Sequence, residues 1–126
     1  MGLNDNPSDR YVDELQAFEE GITACPPATP DCTDCGHTQD LRQTTDGRWL
    51  LLDPDPWPTD VVPAGRRWFS TPDGLVLNGQ GIDPPSNECR LAHQLVCSRQ
   101  ESSGHWSDIR VVLWARNRAR DGLPYE

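Results

Sequence analysis

The sequence predicts an α+β fold, a small antiparallel sheet of two hairpins with flanking helices. Three observations carry that expectation. Two short apolar runs each close on a glycine-containing turn, Asp46-Gly47 and Thr71-Pro72-Asp73-Gly74. Stretches with helical spacing and cap residues lie toward either end. A C-x-x-C at residues 32–35 is answered, after 53 intervening residues, by C-x3-H-x3-C at Cys89, His93 and Cys97.

In chain order, residues 1–30 read as an acidic helix followed by a proline-rich linker. Tyr11, Leu15 and Phe18 recur at helical spacing from about Asp9 to Glu20, with Ser8 before them and Gly21 after. Asp9, Asp13, Glu19 and Glu20 are expected to form its solvated face. In the linker ITACPPATP, Cys25 reads as a spare thiol. Residues 31–100 form the expected metal-binding core. TTDGRWLLLD gives the first hairpin, and RRWFSTPDGLVLN the second, from Arg66–Ser70 to Leu75–Asn78. Between them DPDPWPTDVVPAG carries four prolines and must wrap round the sheet, with Trp57 lying over the core.

After Pro84 and Pro85, Ser86 or Asn87 can cap a helix running from about Glu88 to Arg99. Its single face would present Cys89, Ala92, His93, Val96 and Cys97. Residues 101–126 read as a C-terminal helix packing on or extending the core. Ser107 caps it, and Ile109, Val112, Leu113 and Arg116 give the pattern.

Composition bounds the function. The chain has 126 residues, 35% of them hydrophobic, with 12 prolines and 10 glycines, and a mean hydropathy of −0.70. A core this modest gains from a staple. The net charge is −9, concentrated toward the front: residues 1–40 carry nine acidic residues against Arg10, whereas residues 105–126 carry three against four arginines. Such a chain repels phosphate backbones, so nucleic acid is disfavoured as a partner. The one basic stripe, Arg110, Arg116, Arg118 and Arg120, supports a nucleic-acid-associated transcriptional regulator only as an alternative. MGLNDNPSDR has no charged leader before an apolar run, and no stretch is long enough to cross a bilayer. A soluble, cytoplasmic protein is expected, and there five cysteines point to metal rather than disulfides.

Zinc takes four soft or borderline ligands in a tetrahedron, and a C-x-x-C knuckle supplies two of them. Cys32 and Cys35 are therefore the first pair, with Gly36 suited to the turn. On one continuous helix Cys89 and Cys97 stand about 12 Å apart along the axis, too far to share an ion. His93 is four residues from both. The preferred set is Cys32, Cys35, Cys89 and His93, because a helix start meets a knuckle readily, with Cys97 competing for a place; were the segment a turn instead of a helix, Cys89 with Cys97 would be the pair. Four protein ligands would make the zinc structural. A small zinc-dependent enzyme is the third reading, and no catalytic residue can be named for it: the nearby carboxylates are Asp34 and Glu88, and PDCTDC lacks the preceding H-x-E of zinc deaminases. No βαβ pattern surrounds CTDC to suggest thiol redox work. His37 and His105 read as surface residues.

The order of knuckle, hairpins and helix start is similar to zinc ribbons and treble-clef modules. With CTDCGH, GRWLLLD, VPAGRRWFSTPDGL and CRLAHQLVC in succession, residues 32–97 resemble an uncharacterised family of small Cys/His proteins from high-G+C actinobacteria, an origin that the lack of any lysine also suggests. The resemblance implies a zinc-ribbon-like body and no known activity. The expected function is a noncatalytic protein-interaction or regulatory module whose partner is another protein, a basic one being favoured by the acidic front of the chain, and not a membrane.

Overall fold

The computed structural model describes residues 19–101 and 106–124. The helix expected over residues 9–20 lies outside the described residues, apart from Glu19 and Glu20, which are helical. Both expected hairpins form. Strand β1 (Asp40–Gln43) pairs antiparallel with β2 (Trp49–Leu52) across a turn at Asp46-Gly47, with Gln43 opposite Trp49. Strand β4 (Trp68–Ser70) pairs with β5 (Val76–Asn78), and Gly74 takes the positive φ of 85° that closes the turn between them. Before β4, the proline-rich loop contributes a short strand β3 (Trp57–Pro58) and two 3-10 turns, Thr59–Val61 and Ala64–Arg66.

The expected single sheet is instead three two-stranded sheets, because a sixth strand, β6 (Glu88–Cys89), pairs with β3. This strand also corrects the helix expected over residues 88–99. Glu88, Cys89, Arg90 and Leu91 alternate between exposed or half-buried and buried positions, which is strand periodicity. The backbone here is a seam: Cys89 pairs with Trp57, Arg90 exchanges two hydrogen bonds with Trp68, and Ala92 bridges Leu52. Those pairings hold residues 88–92 extended. Only at His93 does the chain turn into helix α1 (His93–Val96), a single turn.

Helix α2 (Asp108–Arg120) starts after Ser107, as the sequence predicts, although the Ser107 side chain makes no capping hydrogen bond. Its buried stripe is Ile109, Leu113, Trp114 and Asn117, while Val112 and Arg116 of the expected stripe face solvent. Leu113 and Ile109 join Leu50, Leu52, Trp68, Phe69, Val76, Leu91 and Leu95 in one core. Trp57 packs against that core, as expected of a lid.

The acidic helix end is not a solvated face. Glu20 is 1% exposed and accepts a 3.2 Å hydrogen bond from Trp68 Nε1, while Glu19 accepts from both Arg66 (2.9 Å) and Arg110 (3.0 Å). Among the described residues, no helix is long and apolar enough to cross a membrane.

Candidate metal centre

The knuckle is built by its own backbone. Gly36 N–H donates to Cys32 O at 2.8 Å and Cys32 N–H to His37 O at 2.9 Å, and Gly36 sits at φ 79°, a conformation that side chains resist. Both cysteines of the motif thereby turn toward α1. Because α1 begins at His93, its one turn and C-terminal boundary place His93 and Cys97, four residues apart, on the same side.

The result is a group of four: Cys32, Cys35, His93 and Cys97, each offering one ligand atom, all within 4.8 Å of one another. Cys32 Sγ lies 3.8 Å from Cys97 Sγ, and Cys35 Sγ lies 3.4 Å from His93 Nε2. A tetrahedron with metal–sulfur bonds of about 2.3 Å and metal–nitrogen bonds of about 2.0 Å has S···S edges near 3.8 Å and S···N edges near 3.5 Å. The observed separations therefore fit an ion at the centre. They are far too long for a disulfide of about 2.05 Å, and all five cysteines are free.

The group contains three of the four residues preferred from the sequence, Cys32, Cys35 and His93, and takes in Cys97, the competitor, where Cys89 was preferred. Cys89 lies outside the group, in β6 opposite Trp57, and is 2% exposed within the apolar core. Burial raises its thiol pKa, offset only in part by Thr59 and Arg67, so it stays protonated and acts as packing. The reach argument assumed one continuous helix from Cys89 to Cys97, which the strand at 88–89 removes; Cys89 is held away in its pairing with Trp57, and Cys97 joins the group. Cys25 is exposed, as a spare thiol should be, and His37 is on the surface; His105 lies outside the described residues.

Without a metal the group must distribute protons among crowded donors. The Cys32–Cys97 hydrogen bond is the largest influence on both thiols, taking Cys32 down to about 3 and driving Cys97 upward, so Cys97 keeps the shared proton. Burial alone would lower His93, but Asp53 and then Cys32 and Cys35 outweigh it and raise the imidazole to about 10. Four such donors crowded together can give up protons to a divalent cation.

Asp53 is the residue that sequence reading missed at this site. It follows β2, is 2% exposed, and places Oδ2 3.6 Å from His93 Nδ1. Burial opposes its charge, yet His93 first and Asn117 next hold its carboxyl below the ordinary value. Asp34 and Glu88, the carboxylates named from sequence proximity, are both exposed.

A second ring of polar contacts surrounds the group. Arg120 Nη2 lies 3.9 Å from Cys35 Sγ, and Asp121 accepts from Arg120 Nε (2.9 Å), from His37 Nε2 (2.6 Å) and from the Ser98 hydroxyl. The remaining arginines of the stripe are also engaged. Arg110 donates to Glu19 and Leu95 O and lies 3.9 Å over the Trp106 ring. Arg116 donates to Asp55 at 2.7 Å, and Arg118 donates to Ser98 O and stacks over Trp114.

Fold and cluster together define a small α+β protein with a Cys/His group able to hold a metal ion. The chain belongs to a family of unknown function, DUF6083, whose model matches residues 14–121. That span takes in the last helix and the acidic helix end, which the resemblance drawn over residues 32–97 had left as flanks. Neither the curated proteins nor the solved structures contain a match.

Proposed function

We propose that this is a small zinc-binding protein whose one ion is structural, held by Cys32, Cys35, His93 and Cys97, and that it acts as a noncatalytic protein-interaction or regulatory module. The observation carrying the metal reading is the set of four donors converging from a knuckle and a helical turn, with edges of 3.8 and 3.4 Å. Three thiolates and one imidazole select zinc over magnesium or calcium, which prefer oxygen. Four protein ligands fill a tetrahedral shell and leave no position for substrate or water, which favours structure over catalysis. The knuckle followed by a hairpin and a helical turn supports a zinc-ribbon-like or treble-clef-like relationship, and the lysine-free composition an actinobacterial source.

A protein partner accords better with the molecule than nucleic acid does. All four arginines of α2 are spent on Glu19, Asp55, Asp121, carbonyl oxygens or aromatic faces, and the net charge is −9. Reduced thiols and a soluble surface suit the cytoplasm. Cobalt titration of the metal-stripped protein tests the site: one equivalent should produce the intense thiolate-to-metal and tetrahedral d–d bands, and zinc should bleach them. An octahedral spectrum, or no uptake, would refute it. Affinity capture with zinc-loaded and stripped protein tests the module, which requires a partner retained only by the loaded form.

A further inference from the structure

The two ring nitrogens of His93 face different chemistry. Nε2 points into the thiol group, 3.4 Å from Cys35 Sγ, while Nδ1 is fully buried and has no partner at hydrogen-bond distance, with Asp53 Oδ2 standing 3.6 Å away. The carboxylate is held firmly in place. Asp53 N–H donates to Leu91 O at 2.9 Å and Arg90 Nε donates to Asp53 O at 3.0 Å, so the seam that carries His93 also carries the backbone of Asp53. Asn117, which donates to Val96 O at 2.8 Å, lies 3.5 Å from Oδ2, and Arg116 Nη2 lies 3.8 Å from Oδ1.

A carboxylate 2% exposed is costly unless its charge is used. Asn117 makes its shorter bond to Val96 O and Arg116 its shorter one to Asp55, whereas the buried Nδ1 of His93 has no hydrogen-bond partner and faces this carboxylate, so the imidazole is the group it is placed to serve. A neutral imidazole carries one proton and one lone pair, and the proton goes to the nitrogen whose acceptor is better. With a carboxylate at Nδ1, the lone pair is left on Nε2, directed at the metal.

We propose that Asp53 is the positioning residue of the metal centre, accepting a hydrogen bond from His93 Nδ1–H and thereby fixing the tautomer and ring orientation in which Nε2 binds the ion. The inference rests on the zinc reading above and adds the outer-shell residue on which the histidine ligand depends. Its strength is that of a ligand supported through its second nitrogen, where loss of the support weakens metal binding roughly 10- to 100-fold. Cys32, Cys35 and Cys97 have no such dependence on Asp53, so an Asp53 variant retains the three sulfur ligands.

The test compares wild-type protein, Asp53→Asn and Asp53→Ala, each titrated with zinc against a competing chelator, and reads His93 by 15N–1H NMR in the zinc-loaded form. Wild type should show Nδ1 protonated and Nε2 metal-bound, with a downfield, slowly exchanging Nδ1–H. Asp53→Ala should weaken zinc roughly 10- to 100-fold, with that proton moved upfield and exchanging faster. The isosteric Asp53→Asn, which keeps an acceptor oxygen, should fall between. Zinc affinities within twofold of wild type in both variants would overturn the proposal, as would wild-type His93 bound through Nδ1, a result that needs no variant to fold. A wild-type protein that takes up no zinc would overturn the metal reading and this role with it, whereas zinc bound normally with an indifferent Asp53 would overturn this role alone.

Discussion

Removing the metal should release the knuckle before it releases the core. Residues 31–39 contribute nothing to the main apolar cluster, which runs from Leu50 to Leu113. Their hydrogen bonds are mostly to one another: Cys32 N–H to His37 O, Gly36 N–H to Cys32 O, Gln39 N–H to Pro30 O and Thr38 Oγ1 to Asp31. Ties to the rest of the molecule are few beyond the four-donor group, chiefly His37 to Asp121 and Arg120 to Cys35. A ligand that binds only the folded state stabilises it by about 4.1 kcal/mol when its free concentration is a thousand times Kd. For a chain of 126 residues, 1 kcal/mol moves the melting temperature by roughly 3–5 °C. Chelation should therefore lower the melting temperature by about 12–20 °C in scanning calorimetry. At 25 °C hydrogen exchange should accelerate in residues 31–39 while the amides of Leu50, Leu52 and Phe69 stay protected. An unchanged melt after verified metal removal would refute the reasoning, and so would loss of protection in the core strands at the same rate as in the knuckle.

Cys97→Ala and Cys89→Ala should part company: the first should lose most zinc affinity, while the second should keep one zinc per chain and lose about 1 kcal/mol in denaturant melts as a small core truncation. Asp121→Ala should cost about 1–2 kcal/mol, since Asp121 joins His37 of the knuckle to Ser98 and Arg120. Arg120, then Ser98 and His37, hold the Asp121 carboxyl below its ordinary 3.8, so its stabilisation is present above that value and is lost as pH falls through the lowered one; the wild-type and Asp121→Ala stability curves should converge in acid. Replacing Arg116, Arg118 and Arg120 together by alanine should lower the melting temperature and leave duplex DNA binding absent, as measured by fluorescence anisotropy at physiological salt; submicromolar binding by wild type that the triple variant loses would reverse the assignment of these side chains.

Much of the architecture could be read from local chemistry. Asp46-Gly47 and the Thr71–Gly74 turn specify their hairpins because glycine there meets a positive φ, and the start of α2 is marked by Ser107. Segment 88–97 was harder because it carries two periodicities at once. Cys89, Ala92, His93, Val96 and Cys97 satisfy the helical spacing, while Glu88 to Leu91 also alternate as a strand, and the choice is made by pairing with Trp57 and Trp68, which no local signal announces. That tertiary choice displaced Cys89 in favour of Cys97. Glu20 and Asp53 show the same limit: a carboxylate 1–2% exposed is indistinguishable in sequence from a solvated one until its partners, Trp68 for Glu20 and His93 for Asp53, arrive from 40 or more residues away.

The central claim is that one zinc ion sits among three sulfurs and one nitrogen, and X-ray absorption at the zinc edge on protein of known metal content measures that shell directly. One zinc per chain, with three sulfurs at about 2.3 Å and one nitrogen at about 2.0 Å, is the predicted result. In Cys97→Ala a sulfur should vanish from the shell, and in Cys89→Ala the shell should be unchanged. Protein that holds no zinc, a shell dominated by oxygen, or a sulfur lost with Cys89 rather than Cys97 would contradict the account.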